Sequence, residues 1–473
     1  MSKTAHMIGL CGAGMSAVAH LLQEAGYEVT GSDEGFYPPV SDYLTRLGLD
    51  CSVGYRAENL PQDPDLVVIG KNAKLVPETN EEVAAALSRF GDRVRSFPEV
   101  LAELTEGRER IVVAGSYGKS SLTSIIVHCL KQAGKEPGWF IGAIPKDLDT
   151  SSSLGGAGPF VFEGDEYPSA NWDERAKFLH YQPDTVVLTS ATHDHVNIYP
   201  TLNDYHAPFL DLLEGLSARG GTLIACTDET EAARLFGGYV GPRIAYGFAP
   251  QRDWQAVNVA PGDPTRFALT ASAEMHTDFT TTQIGRHAVE NITGAAALLI
   301  GGGHLTVEEF REGIASFSGL TRRLDRKTDR SRLILYEGFG SSYEKARAAI
   351  GALREHFPEK RLTVLFEPHT FTWRNRAALP QYRSAFNDTA RVWLYAPPTQ
   401  GAGTHDQVSL DEIREVAEAS HPDIRSFGRD EAEAVIRAAD PEEDVILILS
   451  SGSFDGALSE VIEAAERVWP VRG

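Results

Sequence analysis

Ile111-Val112-Val113-Ala114-Gly115-Ser116-Tyr117-Gly118-Lys119-Ser120-Ser121 reads as a strand, a tight glycine-bounded turn and the start of a helix. Three β-branched apolar residues lead into the turn, and the apolar run over residues 122–130 carries the helix away from it. Phosphate oxygens need backbone N–H groups at a helix N-terminus, a lysine to balance their charge and a hydroxyl to hold Mg²⁺. Gly118, Lys119 and Ser120 supply these parts. The first glycine of G-x-x-x-x-G-K-[ST] would fall on Val113, so on the pattern alone an ordinary strand-turn-helix with an exposed lysine stays open.

Upstream, Met7-Ile8-Gly9-Leu10-Cys11-Gly12-Ala13-Gly14-Met15 is a short strand running into glycines. A helical pattern (Ala17, Val18, Leu21, Leu22) follows and stops at Gly26, and Tyr27-Glu28-Val29-Thr30 is the next strand, ending at Gly31-Ser32-Asp33. This β-α-β unit places a carboxylate about twenty positions past the glycines, where a ribose hydroxyl is often bound. The glycines do not keep the G-x-G-x-x-G spacing, so bound NAD is not favoured, and a close strand-to-helix turn explains them equally well. A further buried strand spans 66–70, and the first domain is expected to end near the acidic stretch 103–110, toward which Phe97-Pro98-Glu99-Val100 leads.

Downstream, 138–142 and 159–162 are strand-like, and the latter delivers Glu163-Gly164-Asp165-Glu166-Tyr167. Carboxylates at the C-terminal end of a parallel strand, beside a phosphate loop, are where a Mg²⁺ ligand is expected. The strand 185–190 ends in His193-Asp194-His195, which suits metal or phosphate contact and equally suits solvated loop histidines. The segment 221–226 continues the alternation, and after a more irregular passage dotted with Pro and Gly, Ile284-Gly285-Arg286-His287-Ala288-Val289-Glu290-Asn291 opens an Ala-rich helix. A third unit begins after Thr321-Arg322-Arg323-Leu324, alternating strands at 333–336, 362–366, 392–395 and 445–449 with helical patterns, again a doubly wound α/β domain.

A chain of 473 residues should divide into roughly three domains. Its formal charge of −22, without a dense Lys/Arg run, argues against a nucleic-acid or acidic-membrane surface. Cys11, Cys51, Cys129 and Cys226 show no C-x-x-C spacing and read as reduced core thiols, which suggests a reducing compartment. No apolar run reaches about 18 residues, and residues 1–6 are too short for a signal peptide, so the cytoplasm is expected.

Three features combine: the N-terminal glycine turn with Gly31-Ser32-Asp33, the Gly118-Lys119-Ser120 loop with Glu163 and Asp194-His195 downstream, and the terminal α/β domain. Together they resemble the Mur ligase superfamily over nearly the whole chain. Tyr37-Pro38-Pro39-Val40-Ser41, Asp173-Glu174-Arg175-Ala176-Lys177-Phe178, Phe366-Glu367-Pro368 and Ser450-Ser451-Gly452-Ser453-Phe454-Asp455-Gly456 are similar to its peptidoglycan-recycling branch. That branch joins UDP-N-acetylmuramate to a murein tripeptide; the branch that adds L-alanine fits these later segments less well.

The resemblance implies an α/β three-domain architecture: a Rossmann-like UDP-sugar-binding domain (1–106), a central P-loop ATP-binding domain (107–325) and a Rossmann-like α/β domain that brings the amine (326–473). It implies an ATP-dependent carbon–nitrogen ligase that turns a carboxylate into an acyl phosphate for attack by a peptide or amino-acid amine. Gly12, Gly14, Met15, Ser32 and Asp33 would hold the uridine nucleotide, and Asp165, Glu166 and Arg374 would also face substrate. Lys119 would bind the ATP phosphates with Gly115, Gly118 and Ser121, and Ser120, Glu163 and His195 would hold Mg²⁺. His287 and Asn291 would line the adenine side, and Arg323, with Arg322, would reach the phosphates. Lys119, Glu163, His195 and Arg323 form the implied catalytic set. The implied partners are a UDP-sugar acid and an amine, without nucleic acid or membrane insertion, in a monomer or weak homodimer.

The chain also departs from the family pattern. Ser116 and Tyr117 replace Thr-His of Gly-Thr-His-Gly-Lys-Thr-Thr, Thr189-Ser190 and Thr192 stand where the family has Asn and Glu before Asp-His, and Ala288 replaces the first Asn of His-Asn-x-x-Asn. Tyr205-His206-Ala207-Pro208-Phe209 lacks the lysine that some members carbamylate. Glu337-Gly338-Phe339-Gly340-Ser341-Ser342-Tyr343 replaces Asp-Asp-Phe-Ala-His-His-Pro, and His369-Thr370 replace an Arg-Ser pair, with Arg374 or Arg376 as stand-ins. Two further readings follow: a ligase of the same fold with another acid and amine, or a former ligase that binds a nucleotide or cell-wall intermediate without turnover.

Overall fold

The structure, a computed structural model, describes residues 3–36, 40–143, 145–195, 198–272, 274–396 and 407–471. Tyr37, Pro38 and Pro39 of the 37–41 segment lie outside the described residues. The chain forms two compact units, one of Met1–Val259, Phe267–Thr280 and Val289–Phe317, the other of Ala260–Arg266, Thr281–Ala288 and Ser318–Gly473.

The first unit holds two large sheets. Strands Lys3–Ile8, Tyr27–Asp33, Asp50–Val53, Leu66–Ile69 and Val94–Arg95 form a parallel sheet in which the first strand lies in the middle, between the second and the fourth. That order reverses beside Lys3–Ile8, which opens a crevice at its carboxyl end, at the Gly9 to Gly12 turn. The second sheet has ten strands, and Arg110–Ala114 runs parallel between Phe160–Glu163 and Thr185–Leu188. Its central strands Phe160–Glu163, Arg110–Ala114 and Thr185–Leu188 are apolar on both faces, as parallel strands covered on both sides require. Val112, Ala114, Phe160, Phe162, Val186 and Leu188 pack into one core, and Ile111, Val113, Val161 and Val187 into the opposite one. The two sheets share that first core through Leu10, Val18 and Phe97, and Ser152 Oγ–H donates to Ala17 O at 2.8 Å.

Two segments differ from the expectation. The passage read as irregular contains strands Arg243–Gly247, Trp254–Ala260, Thr265–Ala271 and Glu274–Thr281. Along Trp254–Ala260 the buried Trp254 and Ala256 alternate with less buried neighbours, and Pro261, Gly262 and Pro264 mark a turn before the next strand, not the absence of strands. Phe97–Leu104 is a helix rather than the approach to a linker. Ser96 and Glu99 form its capping box, with Ser96 N–H donating to Glu99 Oε2 at 2.8 Å, and Pro98 lies in the first turn, where proline is tolerated.

The second unit is a six-stranded sheet in which Arg323–Arg326 pairs antiparallel with Ile334–Gly338 and the other neighbours are parallel. Helix Tyr343–His356 covers one face through Ala346, Ile350 and Leu353, and helix Ala457–Val468 the other through Val461 and Ala465. Among the described residues no helix is long and apolar enough to cross a membrane. All four cysteines are free thiols. Burial, then the nearby Asp33, pushes the Cys11 thiol up to about 12, so it stays protonated.

Candidate active site

The parallel register sets Val113 beside Glu163 and Ala114 beside Leu188. The loop that follows Ala114 therefore emerges with Glu163 on one flank and Thr189-Ser190 on the other, at the carboxyl edge where parallel sheets bind ligands. Gly115 and Gly118 adopt φ of 142° and 82°. A Cβ on Gly118 would stand 2.9 Å from Asn291 Oδ1, and one on Gly115 would stand 2.8 Å from Ser190 N, so only glycine fits at either position. Ser190 Oγ accepts from Tyr117 N–H at 3.1 Å, and Thr189 Oγ1–H donates to Tyr117 O at 2.5 Å. The two residues that replace the family's Asn thus clamp the loop. Helix Lys119–Gln132 starts immediately after it, so its first N–H groups point at the loop.

Lys119 Nζ donates to Gly115 O at 2.5 Å and to Glu166 Oε2 at 2.8 Å. Glu166 is fully buried; His195 Nε2 lies 3.1 Å from its other oxygen, and Tyr205 OH donates to that oxygen at 3.3 Å. Tyr167 OH meets His195 Nδ1 at 2.8 Å, and Tyr205 OH also reaches Ser116 Oγ at 2.9 Å. Burial alone would lower the Lys119 ammonium, but Glu166, with Asp165 and Glu163, outweighs it and holds it above the usual lysine range. Burial alone would raise Glu166, but Lys119 and His195 hold it below the usual carboxylate range. Ser120 Oγ–H donates to Glu163 Oε1 at 2.7 Å, and Glu163 Oε2 accepts from Gly142 N–H at 2.7 Å. Among the described residues no three His, Cys, Asp or Glu side chains cage an ion. A hydroxyl and one carboxylate beside a phosphate loop suit Mg²⁺, which takes one or two carboxylates plus substrate phosphates.

Asp165 turns away from this cluster to Lys177 Nζ at 2.6 Å. His193 Nε2 bonds Tyr199 O at 2.7 Å, within its own loop. Tyr199 and Tyr205, missed by sequence reasoning, reach Glu166 from distant positions; their only sequence signal is a polar tip on an apolar pattern. Glu229, also missed, caps helix Thr230–Gly238 and accepts from Ala191 N–H at 2.8 Å, which supports the loop bearing His195.

In the N-terminal sheet, Gly12 caps helix Ala13–Glu24, and Asp33 Oδ2 accepts from Cys11 N–H at 2.7 Å. Tyr55 OH donates to Asp33 Oδ1 at 3.1 Å, and a cleft of about 630 Å³ lined by Glu34, Tyr55, Lys74, Thr79 and Asn80 lies alongside. Ser32 is buried and donates to Glu82 Oε1 at 2.8 Å, Met15 is in the core, and Gly14 faces the Phe97 ring.

In the second unit, Arg322 Nε donates to the buried Glu337 at 2.9 Å, while Arg323 begins strand Arg323–Arg326. His287 is in the first turn of helix Arg286–Leu299. Asn291, in the first unit, lies beside Gly118. Arg374 Nη1 reaches Gln407 Oε1 at 3.5 Å, and Arg376 pairs with Glu412 at 2.7 Å. A Cβ on Gly338 would stand 3.0 Å from Leu449 Cδ2, so an Asp at this position needs the Leu449 side chain to shift.

The sequence profile of the Mur ligase family catalytic domain matches residues 4–109, and that of the Mur ligase middle domain matches residues 113–299. A UDP-N-acetylmuramate–L-alanine ligase of a Roseiflexus species is 31% identical over 477 aligned residues, covering 94% of this chain and 96% of that one. The chain belongs to the Mur ligase family. This Mur ligase is also 27% identical over 467 residues to the Haemophilus influenzae UDP-N-acetylmuramate–L-alanyl-γ-D-glutamyl-meso-2,6-diaminoheptandioate ligase, covering 98% and 99% of the two chains. Its fold matches that of the UDP-N-acetylmuramate–alanine ligase of Thermotoga maritima with a TM-score of 0.77 at 22% identity, over 99% and 100% of the two chains. As a Mur ligase it is an ATP-dependent amide ligase of the α/β fold expected from its sequence, and Mur ligases use ATP and Mg²⁺ to couple a UDP-sugar to an amino acid or peptide.

Proposed function

We propose that this Mur ligase activates the carboxylate of UDP-N-acetylmuramate, or of a closely similar acid, and joins it to a peptide amine in peptidoglycan recycling. The observation that carries this reading is the phosphate loop with Lys119, Ser120 and Glu163 gathered at its mouth. We assign 1–106 to the UDP-sugar, 107–325 to ATP and 326–473 to the amine.

Lys119 and the N-terminus of its helix bind the phosphates that the glycines let approach, with Ser121 in the same turn. Ser120 and Glu163 would hold Mg²⁺, which would supply charge neutralisation on the transferred phosphoryl group. His195, kept in place by Tyr167 and Glu166, would be the further Mg²⁺ ligand, and Arg323 would balance phosphate charge. Asp33, with Gly12 before it, holds the uridine nucleotide, and Asn291 and His287 bound the adenine side. Attack then needs positioning and electrostatics, not a covalent protein nucleophile.

A second reading, the same chemistry on another amine, is favoured by residue 338, where glycine replaces the family's Asp and Leu449 packs close by. Mg²⁺-dependent phosphate release from ATP is the test, with UDP-N-acetylmuramate and L-alanine, the murein tripeptide or larger peptides. Release with the tripeptide supports the first reading, and release only with another amine supports the second. Binding of ATP and the UDP-sugar without release under any amine overturns both.

A further inference from the structure

The phosphate loop has two flanks, because Arg110–Ala114 lies between Phe160–Glu163 and Thr185–Leu188. One side of the loop faces Glu163, and the other faces Thr189 and Ser190. Ser120 Oγ–H donates to Glu163 Oε1 at 2.7 Å, which puts the pair suited to Mg²⁺ on the first flank. Mg²⁺ bridges the β and γ phosphates of a nucleotide, so the reacting end of the triphosphate belongs there. The nucleoside then leaves over the second flank.

Tyr117 stands on that second flank, just ahead of Gly118 and Lys119 in the loop. Its N–H donates to Ser190 Oγ at 3.1 Å and its carbonyl accepts from Thr189 Oγ1–H at 2.5 Å, so its backbone is held from two sides. The residues next to it are fixed as well: Ser116 Oγ–H donates to Thr192 O at 2.5 Å, and the left-handed Gly118 lies against Asn291. Yet Tyr117 is 49% exposed, between a buried strand and a largely buried helix. Burial of the remainder raises its phenol, the Thr192 hydroxyl opposes that, and Glu229 and Glu290 add to it, so the phenol end sits among these side chains. Glu229 is itself anchored, accepting from Thr192 Oγ1–H at 3.1 Å and from Ala191 N–H at 2.8 Å. The ring is therefore aimed: its polar end is surrounded and much of its apolar surface is uncovered. All of these residues belong to the first compact unit.

We infer that Tyr117 stacks on the base of ATP and sets the affinity for the nucleoside half of the nucleotide, an inference that rests on the ATP-binding reading above. An aromatic side chain on a rigid loop has few torsions to freeze, and a base offers it a flat π face. Lys119 and the helix N-terminus hold phosphates whatever base is attached. Tyr117 adds the preference for a purine, whose fused rings overlap the phenol ring more fully than a pyrimidine does. The tyrosine stands where the family carries histidine, so this platform belongs to this chain's own loop.

The test is calorimetric titration of the full chain with Mg²⁺ and either a non-hydrolysable ATP analogue or inorganic triphosphate, which has no base to stack. Tyr117→Ala should weaken the analogue about tenfold, the order of one lost base–aromatic stack, and leave triphosphate affinity within about twofold of wild type. Tyr117→Phe keeps the ring and should bind both as wild type does. In Tyr117→Trp, the emission of the added indole, taken as the difference from wild type, should be quenched by the analogue and untouched by triphosphate. Analogue affinity within about twofold of wild type in Tyr117→Ala overturns the inference and leaves the ligase reading standing. An equal loss for analogue and triphosphate also overturns it, since that marks a residue that only shapes the loop. So does an indole in Tyr117→Trp that bound analogue leaves unquenched. Binding of neither probe by wild type overturns the ATP-binding reading itself.

Discussion

Lys119 Nζ and Glu166 Oε2 are 2.8 Å apart, and the carboxylate is fully buried beneath the phosphate loop. Removing one partner of such a pair leaves an uncompensated buried charge, which costs about 3–5 kcal/mol. Lys119→Ala should abolish phosphate release and lower stability by about that amount. Adding Glu166→Gln should recover part of the stability and none of the activity, as read by urea denaturation of both variants.

The pH dependence follows from the same cluster. Glu166 and Asp165 are held below their ordinary values of 4.5 and 3.8, each against burial, by Lys119 and Lys177 respectively. Their contribution to stability is present above those ordinary values and is lost as pH falls through the depressed ones. Lys119 is held above its ordinary 10.5, so its contribution is present below that value and is lost as pH rises through the raised one. Denaturation midpoints should therefore drop on the acid side below about pH 4.5 and on the alkaline side above about 10.5, and be insensitive to this cluster between. Lys177→Met should leave Asp165 titrating higher and move the acid drop upward.

Gly118→Ala places a Cβ 2.9 Å from Asn291 Oδ1 on a residue with φ of 82°. A left-handed non-glycine residue costs roughly 1–3 kcal/mol where it is forced. The variant should lose that much stability and most ATP affinity, by calorimetric titration with a non-hydrolysable ATP analogue.

Ser120→Ala removes the hydroxyl that meets Glu163 Oε1 at 2.7 Å. The Mg²⁺ concentration for half-maximal phosphate release should rise roughly tenfold or more, with the fold intact by circular dichroism.

Gly338→Asp would restore a family residue, yet its Cβ meets Leu449 Cδ2 at 3.0 Å and Ala349 Cβ at 3.6 Å. An added carboxylate there is buried against apolar groups, so it should destabilise the protein by about 3 kcal/mol or more and raise activity with no amine. A gain of ligase activity with any amine would show that the edge can repack.

Much of the site was readable in the chain because its signals are local. The Gly115 to Ser121 loop, Glu163 at the end of its strand and Asp33 at the end of another each stand on a short pattern of apolar residues, glycine and one chemical group. Asp165 and Glu166 carry the same kind of signal and diverge: one faces Lys177, the other lies under Lys119. Adjacent residues leave the backbone on different sides, and only the segments packed against them settle which carboxylate meets which cation. Tyr199 and Tyr205 offered only a polar tip on an apolar pattern and Glu229 only a helix cap, since the segments they support lie far from them in sequence.

The sequence by itself determined the strand-loop-helix at Arg110–Ala114 and Lys119–Gln132, the alternation of strands and helices, and the residue types at the phosphate loop. β-Branched runs, glycine punctuation and apolar periodicity act within a few residues of the chain. Only the tertiary structure decided that Glu166, 47 positions from Lys119, is its partner, that Thr189 and Ser190 clamp the loop, and that Leu449 packs against Gly338. Those relations come from the order and register of parallel strands joined by long crossovers, which bring distant segments to one sheet edge and which no local propensity encodes.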